Sequence, residues 1–138
     1  MSEDKRKHLE MIQAVINRLN SNSFAIKTWA VGLVSVLFVL AAQGANQKFA
    51  IFAVFPAVAF WGLDAYYLRL ERLFRKLYDA VRISSESAPD ESYSMNVKPF
   101  ENDVDSQLGT MFVPSIVWIH GAVLVGMLVV TIVAWKLR

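Results

Sequence analysis

The chain has no cysteine, which excludes disulfides, zinc–thiolate sites and cysteine-ligated iron–sulfur clusters. It has only two histidines. His8 lies in a charged N-terminal arm and His120 inside a long apolar run, so the two are not expected to form a metal pair within one subunit. There is no Gly-rich phosphate loop, no His-Glu-x-x-His helix and no nucleophile elbow. Ser115 and His120 stand five apart on one expected helix, poor geometry for a Ser–His dyad. No catalytic residue, metal or cofactor is expected. Nor is a nucleic-acid partner, because a formal net charge of +2 leaves little to neutralise phosphates with. The N-terminus opens on the mixed charges of Glu3 to His8 and turns apolar only at Phe24, so it does not read as a cleavable signal peptide.

What the chain does have is apolar sequence in blocks. Phe24 to Ala42 carries a single charge, Lys27, near its start. Phe49 to Leu63 carries none and is extended by Ala65, Tyr66 and Tyr67 into an aromatic edge. Phe112 to Trp135 carries no formal charge and one histidine. A hydrocarbon core of about 30 Å needs roughly 20 apolar helical residues, which the first and third blocks supply outright and the second with its aromatic edge. The expected fold is therefore an all-α integral membrane protein with three transmembrane helices. Its first two form an antiparallel hairpin extended into the cytoplasm as a helical stalk. The divisions are an N-terminal amphipathic helix (1–23), the hairpin with its cytoplasmic extension (24–83), an acidic connection (84–111) and the third span (112–138).

Within the arm, Leu9, Ile12, Ile16 and Leu19 form a helical stripe. Such a helix either lies on the membrane surface or packs on the cytoplasmic continuation of the second span. Asn20 to Ser23 favour local backbone bonding, and a kink or cap is expected there. The turn Gln43 to Lys48 is short enough to force a hairpin. Lys27 and Asp64 are equidistant from its midpoint, so they share a depth and either pair or reach the interface separately. Beyond Asp64, Leu70, Leu73, Leu77 and Val81 face the arm's stripe. Arg69, Arg72, Arg75 and Lys76 form a basic face for anionic headgroups, a soluble partner or the chain's own acids. From Ser84 the chain turns acidic. It is either a solvated linker or a segment that docks through Tyr93, Met95, Val97 and Phe100. Pro56 is expected to kink the second span. Ala53 and Ala57, and Ala122 and Gly126, are small residues at helix-packing spacing. His120 is the candidate intramembrane polar site, either a bonded neutral imidazole or a proton or gating group. Eleven Lys and Arg on the arm and long connection against three elsewhere place the N-terminus in the cytoplasm and the C-terminus outside the inner membrane.

Asn22-Ser-Phe-Ala-Ile-Lys-Thr-Trp29 and the stretch from Phe60 to Tyr78 resemble small bacterial multi-span membrane proteins. The layout, over roughly residues 9–82, is similar to the SLATT class, a two-span hairpin followed by a cytoplasmic helix. That class is associated with bacterial anti-phage defence, through effectors thought to oligomerise and breach the membrane. This chain adds a third span to that plan. The resemblance implies a homo-oligomeric inner-membrane effector that permeabilises the membrane. The alternative from the residues is a non-catalytic anchor or accessory subunit that holds a soluble cytoplasmic partner. A transporter is less favoured, since three spans offer no inverted repeat.

Overall fold

The computed structural model describes residues 2–43, 48–84 and 93–136, with side chains throughout these ranges except at 38, 41, 42, 48–53, 134 and 135. The described residues are helical and hold no strand. Two long helices, α1 (Glu3–Ala42) and α2 (Lys48–Ile83), are followed by a 3-10 turn (Lys98–Phe100), a short α3 (Gln107–Met111) and α4 (Pro114–Lys136).

The stripe of α1 turns inward. Leu9, Ile12, Ile16, Leu19, Ile26, Ala30 and Val34 are all buried, at the three- and four-residue spacing that keeps one helical face toward a neighbour. At one end of the hairpin, Ile12 and Ile16 pack against Leu77, with Phe74, Tyr78 and Val81 around them. At the other, Val34 packs with Ala57. The contacts run in opposite order along the two chains, so α1 and α2 are antiparallel. Of the two readings of the N-terminal arm, the structure has the packed one.

No break falls at Asn20 to Ser23. α1 passes through them as one helix of 40 residues, about 60 Å long at 1.5 Å per residue, and the boundary expected at residue 23 lies inside it. Local preference for caps and turns is a weak prior that tertiary packing overrides. Here Ile16, Leu19 and Ile26 bury on either side, and the Ser23 hydroxyl bonds across to α2 instead of capping. α2 likewise continues through Pro56.

The connection returns to the stalk. Met95, Val97 and Phe100 pack on the Ile12–Ile16–Leu77 cluster. The Tyr93 hydroxyl donates to Asp4 at 2.8 Å, and His8 Nε2 lies 2.8 Å from the Ser94 carbonyl oxygen. Tyr93 takes a left-handed φ of 69°, uncommon for a bulky residue, where both contacts hold it. The acids at 86, 90 and 91 lie outside the described residues. Ser106 caps α3, its hydroxyl accepting from the Gly109 amide at 3.1 Å, as serine does at a helix start.

α4 then lies against the hairpin. Ile116, His120, Val123 and Met127 face inward, and Val123 and Met127 join Val34 and Ala57 in an apolar cluster. Among the described residues, one segment, Pro114–Val133, is long and apolar enough to cross a membrane. The far ends of the first two apolar blocks, the Gln43–Lys48 turn from 44 to 47, and the Trp135 to Arg138 tail except Lys136 fall outside the described side chains.

Candidate functional site

The site lies where α1, α2 and α4 meet, and it is built around one carboxylate. Asp64 is 0% exposed. A bare carboxylate at such a position is strongly disfavoured, so its oxygens need donors. Lys27 and Ser23 are four apart on α1, hence on one helical face. Lys27 Nζ donates to Asp64 Oδ1 at 2.6 Å and to Ser23 Oγ at 2.7 Å. The Ser23 hydroxyl donates to the same Asp64 oxygen. From α4, His120 Nε2 reaches Asp64 Oδ2 at 2.9 Å. A carboxylate only accepts, so Nε2 carries the proton and donates. One side chain therefore holds all three long helices together.

The imidazole is covered on its face. Trp61, one turn before Asp64 on α2, lies parallel to the His120 ring with centroids 6.2 Å apart and planes within 4°. Trp61 is itself held by its indole N–H, which donates to the Met111 carbonyl oxygen at 2.8 Å, and by the edge of Phe112 at 6.0 Å. The Gln107 side chain donates to the Gly62 carbonyl oxygen at 2.9 Å. The short α3 is thus pinned to α2 beside the cluster. His120 is 1% exposed, and its Nδ1 has no hydrogen-bond partner.

Lys27, Asp64 and His120, picked out separately in the sequence, are in contact here. Ser23 and Trp61 complete the cluster. Ser23 reads in sequence as a helix cap and Trp61 as one residue of the second apolar block. The available signal was spacing: Ser23 is i−4 to Lys27, and Trp61 is i−3 to Asp64, so each shares a face with a charged residue.

The basic face of α2 is largely engaged within the chain. Arg72 pairs with Asp105 at 2.7 Å, the Arg69 Nε donates to the Asp105 carbonyl oxygen at 3.0 Å, and Arg75 pairs with Glu71 one turn away. Lys76 is exposed. Of the small residues expected at helix contacts, Ala57 is buried between α1 and α4. Ala122 is instead exposed and Gly126 half-buried, because the inward stripe of α4 runs through Val123 and Met127, one residue further round. The Ala53 side chain lies outside the described residues.

Chemically, the cluster balances buried charge, the Asp64 carboxylate accepting from Lys27, Ser23 and His120. Among the described residues no group of three or more His, Cys, Asp or Glu is placed to hold a metal ion. Asp64 is filled by donors and offers no free face to a substrate. No protein-family model, curated protein or solved structure matches the chain.

Proposed function

We propose that the chain is a three-span inner-membrane protein that assembles with copies of itself and permeabilises or depolarises the membrane, as an effector of the SLATT kind that its hairpin resembles. One observation carries this reading. Large apolar side chains are exposed on the outer face of all three long helices over the same stretch of the bundle. They include Phe24, Trp29 and Val36 on α1, Phe55 and Leu63 on α2, and Trp118, Val125 and Leu128 on α4. An apolar surface on this scale marks contact with lipid or protein. Below it, on the stalk, the exposed positions include the polar Gln13, Asn17, Arg18, Arg75 and Lys76 beside the apolar Met11 and Ile83.

Among the described residues the interior of one protomer offers no conduit, because Val34, Ala57, Val123 and Met127 fill it. Permeation then runs between protomers. The outward face of α1 offers Thr28, Gly32 and Ser35 at helical spacing. The two hydroxyls bond their own helix's carbonyls, and nothing lies within 4 Å of a Cβ added at Gly32. Small residues of this kind let membrane helices approach closely. An anchor that captures a soluble partner through the α2 arginines is less well supported, since Arg69 and Arg72 already hold Asp105.

The test is release of an entrapped fluorescent dye from vesicles of inner-membrane phospholipids containing the purified full chain. Release that rises with protein-to-lipid ratio more steeply than first order is expected. Vesicles that stay sealed at every ratio, with the protein shown to be inserted, overturn the reading.

A further inference from the structure

We propose that Lys27, Asp64 and His120 form a proton-binding site, reached from the stalk side, and that loading it releases α4 from the α1–α2 hairpin. The proposal goes beyond permeabilisation and does not use leakage as its readout. It rests on the occupancy of the cluster's polar atoms. With Lys27 charged, Asp64 ionised and His120 neutral, the cluster has no net charge, and both Asp64 oxygens are filled by donors. One atom is left over, His120 Nδ1, buried and without a partner. As a bare nitrogen it is an unused acceptor. Once protonated it becomes a donor on a cation, with no acceptor in contact.

A proton taken up from water therefore has no comfortable place in the closed arrangement. On His120 it adds an unbonded N–H and leaves the buried cluster at +1. Asp64 is the poorer acceptor, because donors already occupy both of its oxygens, whereas His120 Nδ1 is bare. The Nε2–H bond to Asp64 becomes charge-assisted, but the buried Nδ1–H has no acceptor and is satisfied only by water that movement of α4 admits. Among the described residues, that His120–Asp64 bond is the one side-chain hydrogen bond from α4 to the rest of the chain. Every group facing it is accounted for. α1 presents Ser23 and Lys27, α2 presents Asp64 and the non-titrating Trp61, and α3 presents no titratable side chain. Arg69 and Arg72 each bond Asp105 instead.

Access is one-sided. Of these three side chains Lys27 alone is partly exposed, at 22% against 0% for Asp64 and 1% for His120. On the far side, Val34, Ala57, Val123 and Met127 close the bundle. The site senses protons at the stalk end and does not pass them across.

The experiment uses the full chain, free of native cysteine, in lipid nanodiscs. Nitroxide labels are placed at the exposed positions Val36→Cys on α1 and Val125→Cys on α4, and their separation is measured by pulsed electron resonance from about pH 8 to about pH 5. The expected result is a single short distance at the high end that is lost, reversibly, to a longer and broader one on acidification. His120→Gln places an amide N–H near the Nε2 position and does not titrate, so it should keep the short distance throughout. His120→Ala should show the long distance at both ends. A distance independent of pH in the parent protein overturns the proposal. So does the same pH response in His120→Gln, which would put the proton elsewhere. Helix content by circular dichroism separates release of α4 from unfolding. If helicity is lost together with the short distance, the chain has unfolded and the latch is refuted.

Discussion

At the scale of single residues, the molecule turns on Asp64, and its environment changes what its partners are worth. An isolated Lys–Asp pair at an interface contributes little, because water competes for both ends. Here the carboxylate is fully buried, so removing one partner strands the other charge, at a cost of about 3 kcal/mol. Lys27→Met should therefore lower the thermal midpoint in detergent more than Lys27→Met with Asp64→Asn, in which no charge is left unpaired. The coupling between the two sites is expected at about 1–3 kcal/mol. Single variants whose losses simply add would mean the two side chains do not interact. A charge swap, Lys27→Asp with Asp64→Lys, is the weaker design, since it turns an ammonium toward the N–H of His120. The shared depth of Lys27 and Asp64 was legible from the turn alone, as a matter of counting. The part played by His120 was not, because no hairpin arithmetic fixes the register of α4. The role of Ser23 was hidden for another reason: its cap-forming chemistry and its cross-helix bond use the same oxygen.

At the scale of elements, periodicity carried most of the stalk. Ile12, Ile16 and Leu77 lie on the stripes that spacing predicts, and they meet. Ile12 is 0% exposed, so Ile12→Ala should cost about 3 kcal/mol through lost burial and the cavity left behind. That loss should appear as faster amide exchange across both stalk helices. Unchanged exchange there would mean the stalk does not pack as described. The connection was harder to read. Its acids and prolines look like solvated linker, and only contact with the stalk shows Met95, Val97 and Phe100 as packing residues. The Arg72–Asp105 pair beside them is partly exposed, so Asp105→Ala should cost no more than about 1 kcal/mol. It should nevertheless speed limited proteolysis near Asp105, by freeing Arg69 and Arg72 together. A loss of several kcal/mol would mean that Asp105 supports more than this strap.

At the scale of the whole molecule, the arrangement of the three long helices ties topology to function. The stalk, the docked connection and α3 all sit at one end of the bundle, where Gln107 and Trp61 fasten α3 to α2. On the proposed reading the hairpin crosses twice, and α4 decides between two crossings and three. Pro114–Val133 is long and apolar enough to cross, yet its inward face is specific, with His120, Val123 and Met127 set against the hairpin. A helix that merely filled a core would be covered on all sides, whereas Trp118, Val125 and Leu128 are exposed. Three crossings place exposed Asn102 and exposed Lys136 on opposite sides of the membrane, with the Lys- and Arg-rich end inside. Since the chain has no cysteine, Asn102→Cys and Lys136→Cys each report one position against a silent background. On intact bacterial spheroplasts, a membrane-impermeant thiol reagent should label Lys136→Cys and spare Asn102→Cys until the cells are lysed. Protection of both would return α4 to the cytoplasmic side, and labelling of Asn102→Cys alone would invert the molecule.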